Sequence, residues 1–224
     1  MIRSVVFDLD GTLLDTIPDL TAAMNHAMSR AGYPGITLEQ ARAYIGNGIK
    51  MFAKRAISQS YETDTDDREA DRAVAFFKEY YASHLVCHTT PYPGISETLS
   101  ELKKRGLYLS VLSNKYDSAT KHIINTFFPD TFDIVLGESD ICKRKPDLSG
   151  FMLICEKTGC SPVETVMIGD SATDLAVAVN SGARPISVTW GYRSRKTLEE
   201  AGAVTFAENA HEIVGIIDGI NGEK

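Results

Sequence analysis

Residues 2–12 read Ile2-Arg3-Ser4-Val5-Val6-Phe7-Asp8-Leu9-Asp10-Gly11-Thr12. A short apolar run rich in β-branched residues stops at Asp8, with a glycine turn at Gly11. Such a run is how a strand buried inside a parallel sheet reads, because both of its faces are covered. Polar residues where the strand stops lie at its C-terminal end, the edge on which open α/β sheets carry their ligands.

From Pro91 onward the chain alternates between strand and helix patterns. Leu107 to Leu112, Ile134 to Leu136, Thr165 to Ile168 and Pro185 to Val188 read as strands. Ile95 to Arg105, Ser118 to Thr126, Leu148 to Thr158, Thr173 to Ser181 and His211 to Ile220 read as helices. This alternation predicts a doubly wound α/β core with a parallel sheet and helices on both faces. Residues 15–87 differ. Leu20, Met24, Ala27 and Met28 recur at helical spacing, and Gly32, Pro34 and Gly35 end that helix. Leu38 to Tyr44, Ile49 to Ser58 and a stretch from Asp64–Asp67 to about His84 read as three more. The last carries Ala73, Phe76, Phe77 and Tyr80 on its apolar side. The expected organisation is a core of residues 1–14 and 88–224, interrupted by a small all-helical domain at 15–87. Asp15 to Pro18 and Cys87 to Pro93 are the expected hinges.

Composition narrows the function. The 224 residues are 43% apolar and 24% charged, ordinary for a globular chain that buries a full core. The net charge of −7 speaks against nucleic acid as a partner. Cys87, Cys142, Cys155 and Cys160 form no CxxC pair, so neither a zinc ribbon nor a thioredoxin motif is indicated. His84, Cys87 and His88 fit no structural zinc spacing and read as hinge residues. With no signal-peptide pattern and no apolar run of roughly 20 residues, the expectation is a soluble cytoplasmic protein without membrane contact.

Four polar groups fall on the predicted C-terminal edge. They are Asp8 and Asp10 with Thr12, Ser113-Asn114, Lys145-Pro146 at a helix start, and Gly169-Asp170-Ser171 followed by Asp174. Asp8 and Asp170 supply hard oxygen ligands of the kind Mg²⁺ takes together with waters and a substrate phosphate. Carboxylates packed this closely repel one another unless a cation joins them. Lys145 and the Ser113 hydroxyl suit phosphate oxygens. Metal, nucleophile, acid/base and oxygen donors together make a phosphoryl-transfer site. Each piece alone has a plainer reading as a turn, a helix cap or a solvated basic cluster; their agreement favours chemistry.

In this order and spacing the motifs resemble the haloacid dehalogenase superfamily over the whole chain, with the helical insertion similar to that family's cap. The resemblance implies that Asp8 takes the phosphoryl group and that Asp10 protonates the leaving alkoxide and then activates water. It implies Mg²⁺ held by the Asp8 and Asp170 carboxylates and the Asp10 carbonyl. Ser113, with Asn114 and Thr12, would serve the phosphate and the acid/base, Lys145 would shield Asp8, and Asp174 would orient Lys145 or metal waters. It also implies a cap that closes over the site. Dehalogenases of the superfamily lack the second aspartate, so Asp10 favours phosphate chemistry, and Thr12 leans towards hydrolysis rather than mutase chemistry.

Ile45-Gly46-Asn47-Gly48, Thr189-Trp190-Gly191-Tyr192 and Asp15-Thr16-Ile17-Pro18-Asp19-Leu20 resemble the phosphoglycolate phosphatase group. That likeness implies a small phosphorylated metabolite as substrate and a substrate-reading role for Gly46 and Asn47. One departure is that Pro146 is followed by Asp147-Leu148, where the family often has a second proline. The alternatives are a broad sugar-phosphate phosphatase or a pyrophosphatase. From other classes come a phospho-acceptor signalling module, which the insertion and Asp10 disfavour, and a silent binding protein, which the complete set of site residues disfavours.

Overall fold

The computed structural model describes residues 1–222. The chain divides into two compact units, one of Met1–Asp15 with Pro91 onward and one of Thr16–Thr90.

The first unit is built on a six-stranded sheet. β1 (Ser4–Phe7), β4 (Tyr108–Tyr116), β5 (Ile134–Glu138), β6 (Thr165–Gly169), β7 (Arg184–Val188) and β8 (Phe206–Ala207) lie in the order β5-β4-β1-β6-β7-β8. All neighbouring strands in it are parallel. β2 (Leu14–Asp15) and β3 (Thr90–Pro91) form a separate two-stranded sheet. β1 is central, and Val5, Val6 and Phe7 are fully buried, which is why this strand reads as a continuous apolar run. α5 (Ile95–Lys104), α6 (Asp117–Phe127), α7 (Ser149–Thr158), α8 (Ala172–Ser181), α9 (Arg195–Glu200) and α10 (Glu212–Gly222) complete this unit. Val6, Leu112 and Met167 form one cluster with Phe151 and Ile154 of α7 and with Val177 and Ala178 of α8. α5 packs on β4, and α10 packs on α5.

Strand register positions the chemistry. Phe7 lies level with Val111 on one side and with Ile168 on the other. The residues one step further along are Asp8, Leu112 and Gly169, so the polar ends of three strands reach the same edge together. Two boundaries differ from expectation. β4 does not stop at Leu112 but runs to Tyr116, with a break in its pairing to β5 between Leu112 and Tyr116. Such irregularities re-aim side chains at sheet edges, and here the stretch carries Ser113, Asn114 and Lys115. Lys145-Pro146 is not at a helix start, because α7 begins at Ser149 and Lys145 lies in the preceding loop. β8 and α9, of two and six residues, are too short for periodicity to disclose.

In the second unit, α1 (Ile17–Ala31) packs on α4 (Asp67–Tyr81), and α2 (Leu38–Tyr44) and α3 (Ile49–Ser58) fill in beside them. α1 buries Leu20, Ala23, Met24, Ala27 and Met28 and ends on Gly32 at φ +88°, the left-handed stop that glycine adopts without penalty. α4 buries Ala70, Ala73, Phe77 and Tyr81. Phe76 and Tyr80, expected in the core, are half-buried. Arg30 lies over the Phe76 ring at 4.7 Å, and Tyr80 stacks between His26 and His84. α4 ends at Tyr81 rather than His84 because the next N–H groups tighten onto carbonyls three residues back, Ser83 to Tyr80 and His84 to Tyr81.

Asp19 in the first turn of α1 is buried and ties this unit together at its two chain ends. Its carboxylate accepts from His88 N at 2.9 Å, Thr89 N at 2.9 Å and Thr89 Oγ1 at 2.7 Å. Removing it strands buried donors, each costing about 1–3 kcal/mol. Asp19→Ala is therefore expected to lower unfolding stability by about 3 kcal/mol in urea denaturation; an unchanged midpoint would contradict this clamp.

Candidate active site

At the C-terminal edge of the core sheet, Lys145 reaches in from its loop and is almost completely enclosed, its side chain 2% exposed. Its Nζ donates to Asp8 Oδ1 at 2.6 Å, Asp174 Oδ1 at 2.6 Å and the Leu112 carbonyl at 2.7 Å. Three acceptors satisfy the three N–H bonds of an ammonium. The loop is set by Asn114, whose Oδ1 accepts from Lys145 N at 2.6 Å while its Nδ2 donates to Lys145 O at 3.2 Å. Asn114, expected among the phosphate-binding residues, therefore positions the lysine through its backbone.

Asp174 does two things. Oδ1 holds Lys145, while Oδ2 accepts from Ser171 Oγ at 2.5 Å and Ser171 N at 3.2 Å, which closes the first turn of α8. A Cβ on Gly169 would collide with the Asp174 carboxylate. Asp170 accepts from Tyr192 N at 2.6 Å through Oδ2. Gly11, at φ +92°, passes so close that any side chain there would overlap the Asp170 carboxylate. Oxygens of Asp8, Asp170 and Asp174 lie within 4.8 Å of one another, and all three residues are buried.

Three carboxylates face one enclosed ammonium in this buried cluster, with Arg193 acting on Asp170 as well. Burial pushes Asp8 well above the usual carboxylate range; Lys145 pulls it down, and Asp174 and Asp170 push it further up. Burial raises Asp170 to about 7, with Asp174 adding to the rise and the Tyr192 N–H opposing it. Burial lowers the Lys145 ammonium, but Asp174 and Asp8 more than offset that, and it ends raised. Protein donors take one oxygen each of Asp8 and Asp170, so each keeps an oxygen to offer a cation. A divalent ion matches this donor set in ligand type and in charge.

Asp10 points elsewhere. Its Oδ1 accepts from Lys115 Nζ at 2.7 Å. Ser113 Oγ accepts from Lys115 N at 3.1 Å, which leaves the hydroxyl proton to donate. Thr12 Oγ1 is buried without a hydrogen bond, while the Thr12 carbonyl accepts from Trp190 Nε1 at 3.1 Å. Gly46 and Asn47 belong to the helical unit, in the exposed turn between α2 and α3. Asn47 Oδ1 there accepts from the buried Arg55 Nη1 at 3.0 Å, and Arg55 also donates to the Tyr44 carbonyl at 2.7 Å. The sequence reading missed Lys115, Arg55 and the part played by the Tyr192 amide. Lys115 directly follows Ser113-Asn114 in a strand-end segment, which is the one signal that points to it. Tyr192 ends the Thr189-Trp190-Gly191-Tyr192 stretch quoted above, which is its signal, whereas the contacts of Arg55 leave no local pattern.

The family model of haloacid dehalogenase-like hydrolases matches residues 5–188. The phosphoglycolate phosphatase of Thiobacillus denitrificans is 34% identical, over 89% of this chain and 88% of that one. Its counterpart in Vibrio vulnificus is 33% identical, over 96% of both chains. A crystal structure from Lactobacillus delbrueckii subsp. bulgaricus, 32% identical, covers 96% of this chain and 98% of its own at a TM-score of 0.91. The buried carboxylate cluster with its enclosed lysine thus sits in a chain that belongs to the haloacid dehalogenase-like hydrolases and is phosphoglycolate phosphatase-like.

Proposed function

We propose that this phosphatase hydrolyses small phosphate monoesters through a covalent phosphoryl group on Asp8, with Mg²⁺ as cofactor and phosphoglycolate as the preferred substrate. The observation that carries this reading is the enclosed Lys145, which fixes one oxygen of Asp8 at 2.6 Å in a cluster short of positive charge. The Asp8 and Asp170 carboxylates and the Asp10 carbonyl would hold Mg²⁺, which when bound would supply positive charge for the phosphoryl group and neutralise the cluster.

The other steps belong to the chain's own groups. The second oxygen of Asp8 attacks phosphorus. A new O–P bond forms as the ester O–P bond breaks, and Asp10 gives its proton to the departing oxygen. In the second half, Asp10 takes a proton from water as that water attacks phosphorus, the Asp8 O–P bond breaks, and inorganic phosphate leaves. The Ser113 hydroxyl donates to a phosphoryl oxygen, and Thr12, whose carbonyl accepts from Trp190 Nε1, steadies the Asp10 turn. Lys145 neutralises the charge on Asp8 throughout, while Asp174 and Asn114 hold Lys145. The preference for phosphoglycolate is supported by the identity of the relatives and by the Gly46-Asn47 turn, which Arg55 braces.

The substrate is tested by phosphate release from phosphoglycolate beside a panel of sugar phosphates and pyrophosphate, with Mg²⁺ and with excess chelator. Chelator-sensitive release favouring phosphoglycolate is expected. Chelator-sensitive release spread evenly over the panel would replace the preferred substrate with a broad range. Asp8→Asn is expected to lower kcat by at least about three orders of magnitude with the fold retained by circular dichroism; substantial remaining turnover would remove Asp8 as nucleophile. Without substrate, Mg²⁺ is expected to raise the Tm of the wild type, because it binds only the folded cluster. In Asp170→Asn that rise is expected to shrink, and an equal rise in both proteins would remove Asp170 from the metal site.

A further inference from the structure

Lys115 is a second enclosed lysine, its side chain 5% exposed, and the mechanism above does not use it. It lies in the irregular end of β4, two residues beyond Ser113, and its backbone N–H is held by the Ser113 hydroxyl oxygen at 3.1 Å. Its ammonium stands 2.7 Å from Oδ1 of Asp10. Lys145 is turned to Asp8 and Asp174 instead, so the two lysines serve different carboxylates. An enclosed ammonium is costly to desolvate unless it faces negative charge, so negative groups are favoured beside Lys115.

Asp10 is the group that meets the ester oxygen of the leaving alcohol. Whatever is attached to that oxygen must therefore pass beside the ammonium that Asp10 already holds. In an ester of a short α-hydroxy acid, a carboxylate follows the ester oxygen after a single carbon. In an ester of a simple alcohol, only methylene or methyl groups arrive there. The first brings a negative charge beside an enclosed ammonium, and the second brings none.

We propose that Lys115 reads the charge of the leaving group: its ammonium, beside Asp10, pairs with a carboxylate one carbon from the ester oxygen and so selects phosphate esters of short α-hydroxy acids over those of neutral alcohols. This rests on the phosphatase reading and adds to it the residue that decides substrate class. Lys115 acts by binding and positioning; it takes no part in the transfer of the phosphoryl group or of a proton.

The experiment compares kcat and KM for phosphoglycolate and for ethyl phosphate in the wild type, Lys115→Met, Lys115→Gln and Lys115→Arg, each checked for folding by circular dichroism. The wild type is expected to prefer phosphoglycolate. In Lys115→Met and Lys115→Gln that preference, as a ratio of kcat/KM values, should fall by at least about tenfold, with most of the change in KM for phosphoglycolate. Lys115→Arg retains the charge and should retain most of the preference. A wild type that prefers phosphoglycolate and neutral variants that keep the preference within twofold would overturn the role of Lys115 alone. A wild type without preference would overturn the substrate reading, and this role with it. Should Lys115→Met fail to fold, the Gln and Arg variants still decide between these outcomes.

Discussion

Charge balance in a small buried volume is the constraint on which the site depends. Asp8, Asp170 and Asp174 are brought within 4.8 Å of one another, and Lys145 answers only one of their three charges. Burying unpaired charge at this density is costly. Burial and mutual repulsion show in the raised Asp8 and Asp170. The arrangement is useful because it is unbalanced. Its donor set and its charge match a divalent cation. Glycine at 11 and 169 is part of the same constraint, since a side chain at either would occupy the space the Asp170 and Asp174 carboxylates take.

The fold produces this crowding through strand register. A parallel sheet aligns strand ends, and with Phe7 level with both Val111 and Ile168 the next residues of three strands converge. Lys145 comes from outside the sheet and is held at both ends. Asn114 fixes its backbone, and Asp8, Asp174 and the Leu112 carbonyl fix its ammonium. These partners come from three segments, the end of β1, β4 and α8. Rigidity at Asp8 is thus a property of the core rather than of one loop, which is how a site on strand ends keeps its geometry.

Much of this was legible in the sequence because it is written in local patterns. The apolar run before Asp8, the alternation after Pro91 and the helical spacing of Leu20, Met24, Ala27 and Met28 each follow from one element's own burial. Asp8, Ser113 and Asp170 are at the expected edge because strand ends in a parallel sheet share it, and Lys145 and Asp174 reach it from a loop and from α8. What stayed hidden depends on contacts distant in sequence. That Asn114 holds the Lys145 backbone was not legible, because the two lie 31 residues apart. Phe76 and Tyr80 looked like core and proved to be half-buried, covered by Arg30, Arg72 and two histidines. Periodicity places a residue on a helix face but does not say how far the neighbouring helix reaches across it. The pairing of Lys115 with Asp10 joins residues 105 apart in the chain, and no local rule connects them.

The central claim is that Asp8 carries the phosphoryl group between the two halves of the reaction. It is tested most directly by slowing the second half and looking for the adduct. Asp10→Asn removes the group proposed to activate water, and this variant, mixed with phosphoglycolate and Mg²⁺ and quenched in acid, can be digested and analysed by mass spectrometry. The account predicts one phosphoryl group on the peptide containing Asp8, released by hydroxylamine as an acyl phosphate is. Phosphate turned over with no adduct on that peptide, or an adduct on another residue, would contradict it.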